Sequence, residues 1–176
     1  AKNKIVQITN PSTGYKFATV TWAGFIGACS GMNEKGLTVT INAAKSSIPT
    51  DAATPIALLA REILQYAKNH EEAIAIAKKR NVFVSESILI GSAEDHKTIS
   101  IEKSPMKMDI YEVQNSNRLI CPNHYQGPAY TSDMANLENI IGSSSLYRQI
   151  RLGQLLDRYD TLNYLGAAKI LRDQKG

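Results

Sequence analysis

The stretch Leu119-Ile120-Cys121-Pro122-Asn123-His124-Tyr125-Gln126 divides the chain, because strand and helix patterns precede it and a loop followed by helices comes after it. Its first residues are apolar and indicate a strand that ends at Pro122, since proline cannot continue a central strand. A polar Asn-His pair follows this rigid residue. Such a corner can hold a fixed hydrogen-bond donor for catalysis, or it can simply terminate a strand. From the residues alone, both interpretations of Asn123 stay open.

The first part of the chain is rich in strand patterns. Residues 4–9 and 15–22 are β-branched and aromatic and flank a turn cluster, so they predict a hairpin. A second hairpin is predicted over 28–42, with Gly36 supplying the positive φ of its turn. Helical periodicity then predicts a pair of helices, one capped by Thr54 and the next ending in cations near residue 80.

Strand patterns return after residue 81 and are separated by short turns. Their apolar and β-branched residues are typical of antiparallel strands. The four runs are 82–92, 98–102, 107–114 and 118–121. Together they predict an antiparallel meander that ends at Cys121.

The last third of the chain is predicted to be helical after a long connection. Residues 126–142 lack a regular pattern and are expected to form an irregular loop. Apolar residues at helical spacing predict helices that begin near Ser144 and Thr161. The order of strands, helices, strands and helices indicates one α+β layered domain over residues 1–176.

The composition argues against several classes of function. The net charge of +4 is spread among acidic residues, which argues against nucleic-acid binding. No apolar run is long enough to span a membrane. No Cys or His pair has the spacing of a metal site, so we expect no metal and no cofactor. Nothing in the sequence indicates a cellular compartment.

Two cysteines are the obvious candidate nucleophiles. Cys29 lies inside the second hairpin and Cys121 inside a strand pattern, which is typical of buried, unreactive thiols. Cys121 and His124 are near in sequence, but residues three apart on an extended chain lie about 10 Å apart. They therefore do not form a Cys–His pair. His70, between the two predicted helices, is interpreted as a junction residue.

Three segments, taken in order, carry a resemblance to a known family. They are Ala23-Gly24-Phe25-Ile26-Gly27 through Gly31-Met32-Asn33-Glu34-Lys35-Gly36-Leu37-Thr38-Val39-Thr40-Ile41-Asn42, then Pro55 to Arg61, then Ser87-Ile88-Leu89-Ile90-Gly91 through Pro122-Asn123-His124-Tyr125. The set resembles the penicillin acyltransferase family, the autoproteolytic cysteine acyltransferases and amidases (peptidase C45 type) of the N-terminal-nucleophile hydrolase superfamily. The similarity covers residues 4 to 126.

The resemblance implies a fold, a reaction and a set of site residues. The fold is an αββα arrangement, in which two stacked antiparallel sheets lie between helical layers. The reaction breaks an acyl–nitrogen bond in a small-molecule amide, using an N-terminal cysteine as nucleophile. Asn123 is implied as the catalytic oxyanion donor. Asn42, Trp22 and His124 are implied as substrate-binding residues of the pocket.

The sequence departs from the family pattern at the nucleophile. The family places its cysteine upstream of the first strand, and neither Cys29 nor Cys121 lies there. We therefore expect an interior, incomplete portion of a larger enzyme that is inactive by itself, with the remainder of the protein or a second copy covering its apolar faces. Two alternatives stay open: a non-catalytic ligand-binding or assembly domain on the same scaffold, and a serine or cysteine hydrolase complete within this chain. The substrate is not indicated.

Overall fold

The computed structural model describes residues 3–48 and 51–174, which form a seven-stranded β-sheet and five α-helices. The alternation of strand and helix blocks confirms the α+β class. In chain order the elements are β1 (Lys4–Thr9), β2 (Phe17–Trp22), β3 (Ser30–Asn33), β4 (Leu37–Ala43), α1 (Ile56–Tyr66), α2 (His70–Lys79), β5 (Glu86–Ser92), β6 (Lys97–Lys103), β7 (Met108–Tyr111), a 3-10 turn (Pro128–Tyr130), α3 (Met134–Gly142), α4 (Ser145–Leu156) and α5 (Tyr164–Leu171).

Neighbouring strands pair antiparallel in sequence order, from β1 at one edge of the sheet to β7 at the other. Both predicted hairpins are present, and β5 to β7 form the predicted meander as far as Tyr111. Gly36 has the expected positive φ, 77°, in the turn between β3 and β4. The resemblance implied two stacked sheets, and the described residues form one.

Asn33 ties this turn to the end of α1. Its Oδ1 accepts the backbone N–H groups of Lys35 and Leu37 at 3.0 and 3.1 Å. Its Nδ2 donates to the carbonyl oxygens of Leu64 and Ala67 at 2.9 and 2.7 Å. The amide thus uses both of its protons and both oxygen lone pairs. One buried side chain therefore holds the hairpin and the helix in a fixed relation.

One face of the sheet packs against α1 and α2 and forms the hydrophobic core. Successive strand residues point to opposite faces, so alternate residues of each strand enter this core. The helices contribute apolar residues at helical spacing. The most deeply buried members are Leu37, Val39, Ile88, Ile90 and Ile101 from the strands and Leu59, Ile63 and Leu64 from α1.

The outer face of the sheet differs from one end to the other. Over β1 to β3 none of the described residues covers it, and Val6, Ile8, Val20 and Met32 are 71%, 79%, 51% and 55% exposed. Strand register places all four on the same side. Over β5 to β7 the chain after residue 118 covers it, with contacts described below. A partner that covers the bare end stays a prediction.

The predicted strand at 118–121 is wrong. In the described part of the chain β7 is the last strand of the sheet, and the segment instead crosses the outer face. Two of its carbonyl groups are satisfied by side chains: Gln126 Nε2 donates to the Ile120 oxygen at 2.9 Å, and Asn42 Nδ2 donates to the Cys121 oxygen at 3.0 Å. Because side chains satisfy these backbone acceptors, the segment needs no neighbouring strand.

The predicted irregular loop at 126–142 is also wrong, because it contains the 3-10 turn and α3. Asp133 caps α3, and its Oδ1 accepts the N–H of Asn136 at 3.0 Å. Smaller differences concern element boundaries. They are a start of β5 at Glu86 rather than 82, an α1 without a side-chain cap from Thr54, and a cap on α5 from Asn163 rather than Thr161.

Candidate active site

The end of β4, the segment 120–123 and helix α4 enclose a cavity of about 150 Å³. Amide, guanidinium and hydroxyl groups gather there beside apolar side chains. The fold thereby brings together two of the predicted site residues, one from each half of the chain. The lining consists of Asn42, Ile120, Cys121, Pro122, Asn123, Ser145, Arg148, Gln149 and Leu152.

The Asn123 side chain lies between β4 and α4. Its Nδ2 donates to the Ala43 carbonyl oxygen at 2.9 Å, and its Oδ1 accepts from Nη1 of Arg148 at 2.9 Å. A guanidinium can only donate, so Arg148 defines which way round the amide stands. Ala43 takes one of the two amide protons, and the second has no partner among the described residues. This proton is available to a ligand in the cavity.

The backbone of Asn123 is held as firmly as its side chain. Its N–H donates to Ser145 Oγ at 2.8 Å, and its carbonyl oxygen accepts from Asn139 Nδ2 at 2.6 Å. Asn139 lies on α3 and Ser145 begins α4. Together with Ala43 at the end of β4, three separate elements therefore fix this corner of the chain.

A row of polar side chains on the outer face supports the segment that follows. Glu102 is 1% exposed and accepts the N–H groups of Gln126 and Gly127, both at 2.8 Å. Burial raises the pKa of the Glu102 carboxyl, against the lowering by these two donors. Glu102 was not among the predicted site residues, although the alternation of polar and apolar residues along β6 places it opposite the core. By register the row is Asn42, Ser87, Glu102 and Asp109.

Tyr125 anchors the same segment from the other side. Its N–H and carbonyl are both bonded by the Asn136 side chain, at 2.8 and 3.1 Å. Its hydroxyl donates to the Lys103 carbonyl oxygen at 2.5 Å. Burial raises the pKa of the Tyr125 phenol far above its ordinary value, so the hydroxyl stays protonated as a donor.

Both cysteines are held as thiols. Burial is the main cause that raises the pKa of Cys121, whose Sγ lies 3.8 Å from Ser100 Oγ. Burial and the nearby Glu86 carboxylate raise the pKa of Cys29. The thiolate is the reactive form of cysteine, so neither environment activates a nucleophile. This agrees with the interpretation of both residues as structural.

The other two predicted substrate-binding residues lie outside the cavity lining. His124 is 4% exposed, and its Nδ1 lies 2.8 Å from Ser145 Oγ. Burial lowers the pKa of this imidazole, which is therefore neutral at pH 7. Trp22 is 44% exposed at the end of β2, and its ring centroid lies 4.5 Å from that of Phe25. Their roles as substrate contacts stay predictions.

Arg148 is a cavity residue that was not among the predicted site residues. Besides Asn123 it bonds Ser144 Oγ through Nε at 3.3 Å, and no acidic partner is found among the described residues. Arg151, one turn later on α4, pairs with Asp173 at 2.9 Å. No local sequence signal distinguishes these two arginines, because the difference depends on where the distant residue Asn123 lies.

Across 3–48 and 51–174, no group of three or more His, Cys, Asp or Glu side chains could hold a metal ion. In the same ranges, no helix is both long and apolar enough to cross a bilayer.

The fold is that of the N-terminal-nucleophile hydrolases, and the chain is similar to solved structures of that fold. An N-acylethanolamine-hydrolyzing acid amidase ortholog from Caenorhabditis elegans is 14% identical with a TM-score of 0.65, over 99% of this chain and 75% of that one. A variant of the conjugated bile acid hydrolase from Clostridium perfringens is 15% identical with a TM-score of 0.66, over 97% and 71%. Penicillin V acylase from Agrobacterium tumefaciens is 17% identical with a TM-score of 0.51, over 96% and 58%.

The family follows from the sequence as a whole. The chain belongs to the acyl-coenzyme A:6-aminopenicillanic acid acyl-transferase family, whose model matches residues 1–176. No curated protein sequence matches this chain. The family confirms the resemblance that was based on residues 4 to 126.

Proposed function

We propose that this chain is part of a cysteine-dependent acyltransferase or amidase that acts on the acyl–nitrogen bond of a small-molecule substrate. The observation that carries the proposal is the Asn123 amide, oriented by Arg148 and with one proton unshared at a cavity. An amide donor does not titrate, so it can stabilise an oxyanion over a wide pH range. Membership of an acyltransferase family supports the same chemistry.

The nucleophile of this proposal is a cysteine outside the present sequence, N-terminal to β1 as the resemblance implies. Its thiolate attacks the acyl carbon and forms a C–S bond, while the carbonyl π electrons move to the oxygen. Asn123 Nδ2 donates a hydrogen bond to this oxyanion. When the oxyanion collapses the C–N bond breaks, and the α-amine of the cysteine, which took up the thiol proton, passes that proton to the leaving nitrogen. Water or an acyl acceptor then attacks the thioester carbon, the C–S bond breaks, and the acyl group leaves on the acceptor while the acceptor's proton returns to the cysteine.

The remaining site residues have supporting roles in this proposal. Asn42 holds the Cys121 carbonyl and so fixes the wall of the cavity beside Asn123. Arg148 orients the Asn123 amide and adds positive charge near the oxyanion. Trp22 and His124 are proposed as contacts of more distant parts of the substrate or of the segment that carries the nucleophile.

The test joins the chain to an upstream segment that carries the cysteine and follows hydrolysis of an N-acyl amide. The substitution Asn123→Ala is expected to lower kcat about 100-fold or more, the effect of removing one oxyanion donor. Asn117→Ala is the matched control, because Asn117 is exposed and is not among the residues that line the cavity. A loss below about threefold for Asn123→Ala would contradict the proposed role.

A second candidate is a non-catalytic ligand-binding or assembly domain on the same scaffold. The protonated state of both cysteines favours it, since the cavity has donors for a ligand but no activated nucleophile of its own. A cysteine codon shortly upstream of Ala1 in the open reading frame would favour the enzyme, and its absence would favour the binding domain. A complete serine hydrolase is disfavoured, because Ser145, although bonded to His124, is only 1% exposed.

A further inference from the structure

Ser145 occupies a central position beneath the proposed oxyanion donor. Its Oγ lies 2.8 Å from the backbone nitrogen of Asn123 and 2.8 Å from Nδ1 of His124. The residue is the first of α4 and is 1% exposed. Its hydroxyl is therefore buried, and a buried polar group without a hydrogen-bond partner is costly.

The direction of these hydrogen bonds follows from their chemistry. The Asn123 N–H can only donate, so Ser145 Oγ accepts it and has its own proton to donate. Among the described residues, His124 Nδ1 is the one acceptor found for this buried hydroxyl proton, so we assign Nδ1 as the unprotonated ring nitrogen. The neutral imidazole consequently carries its proton on Nε2.

The hydrogen bonds continue from His124 in a consistent direction. The Gln149 side chain bonds the imidazole, and Gln149 Nε2 donates to Gln126 Oε1 at 2.5 Å. Gln126 in turn donates through its backbone N–H to Glu102 at 2.8 Å. Each donor in this path meets an acceptor, so the path links the Asn123 corner to the buried carboxylate of β6.

Helix α4 holds Asn123 at two points. Ser145 bonds its backbone N–H, and Arg148 bonds its Oδ1 at 2.9 Å. Residues three apart on a helix lie on the same face, so both contacts come from one rigid surface. A rotation of the Asn123 side chain would break the contact with Arg148, and a shift of its backbone would break the contact with Ser145.

We propose that Ser145 is a positioning residue which, with Arg148 and the hydrogen-bonded His124, aims the amide proton of Asn123 into the cavity. The inference rests on the proposed function, because it assigns a role within the same site. Ser145 does not itself touch the substrate. Its effect is to place the donor, and small displacements of a catalytic group reduce the rate strongly.

The kinetic test uses the protein that carries the nucleophile and compares Ser145→Ala with Ser145→Thr. Alanine removes both contacts, so we expect kcat to fall about tenfold while KM changes less than about twofold. Threonine keeps the hydroxyl and should restore kcat to within about threefold of the original. The control is Ser116→Ala, whose exposed hydroxyl bonds only its own turn. An unchanged kcat in Ser145→Ala would overturn the proposal.

A spectroscopic test uses the 176-residue chain alone and does not depend on activity. Long-range ¹H–¹⁵N spectra should find His124 protonated at Nε2, and Ser145→Ala should speed exchange of the Asn123 backbone amide about tenfold or more. A proton on Nδ1 in the original chain would overturn the proposal even if the alanine variant does not fold. If Asn123→Ala did not lower kcat, the oxyanion role would be wrong, whereas the hydrogen bonds of Ser145 to Asn123 and His124 would still stand.

Discussion

Asn33 and Asn123 are two asparagines at corners of the chain, and they differ in how fully their amides are used. The Asn33 amide has four backbone partners and is 3% exposed. The Asn123 amide donates one proton to Ala43, accepts from a cation and has a proton unshared at a cavity. The saturated amide can only stabilise the fold, whereas the unsaturated amide can bind a ligand. The proposed role of Asn123 therefore rests on its number of partners rather than on its residue type.

The largest effect is expected at the saturated corner. Asn33→Ala leaves two carbonyl oxygens of α1 and two N–H groups of the turn without partners, so the free energy of unfolding should fall by about 3 kcal/mol. Urea unfolding measures this loss. The control Asn117→Ala, at an exposed position, should stay within about 0.5 kcal/mol. A loss below about 1 kcal/mol for Asn33→Ala would mean that the four contacts do not stabilise the turn.

The next effect concerns the cation that distinguishes the second corner. Arg148→Met keeps the length of the side chain but lets the Asn123 amide rotate, so kcat for amide hydrolysis should fall about tenfold in the protein that carries the nucleophile. Arg151→Met is a matched control on the same helix, because Arg151 pairs with Asp173 and not with the corner. Equal losses in both variants would show that the effect arises from α4 as a whole.

Asn123→Ala should cost less stability than Asn33→Ala, although Asn123 is the residue with the proposed role in activity. Asn123→Ala removes one hydrogen bond to Ala43 and one from Arg148. The Arg148 side chain is exposed and can bond to water instead, so the free energy of unfolding should fall by only about 1 kcal/mol. Thermal or urea unfolding of this variant beside Asn33→Ala gives the comparison directly. If the two losses were equal, Asn123 would have to be regarded as structural too.

The smallest effect is a pH dependence specific to the Asn123 corner. Burial lowers the pKa of His124 below its ordinary value of 6.5, so the unfolded chain takes up this proton first as the pH falls. Stability should therefore decrease as the pH falls below 6.5 and level off below the folded-state pKa. His124→Asn should lose this slope. The buried Glu102, with its raised pKa, acts in the other direction and cancels when the two proteins are compared.

The two corners also differ in how well the sequence predicts them. The turn of Asn33 was predicted because its chemistry is local: Gly36 permits the positive φ, and the partners on the turn are two and four residues away. The partners of Asn123 lie 80 residues before it and 25 after it. No window of sequence contains them, so the family resemblance was needed to single out Asn123.

The errors in the second half have two different physical causes. Residues 118–121 have the composition of a strand, but the side chains of Asn42 and Gln126 satisfy two of their carbonyl groups, which is a non-local effect. Helix α3, in contrast, had a local signal in its cap Asp133, which was overlooked among neighbouring loop residues. Glu102 likewise lay on the polar side of a readable alternation. The first error was unavoidable, and the other two were not.

The bare end of the outer sheet face affects how the isolated chain behaves in concentrated solution. Each molecule has an exposed apolar patch there, next to β1, the edge strand of the described sheet. The patch consists of Val6, Ile8, Val20 and Met32. Attraction between such patches strengthens on warming and in kosmotropic salts. Solutions should therefore cloud reversibly when warmed and clear when chilled. Ammonium sulfate should precipitate the chain at a low salt concentration. Replacing Val6 and Ile8 with threonine would raise the cloud point and leave the distant Asn123 corner undisturbed.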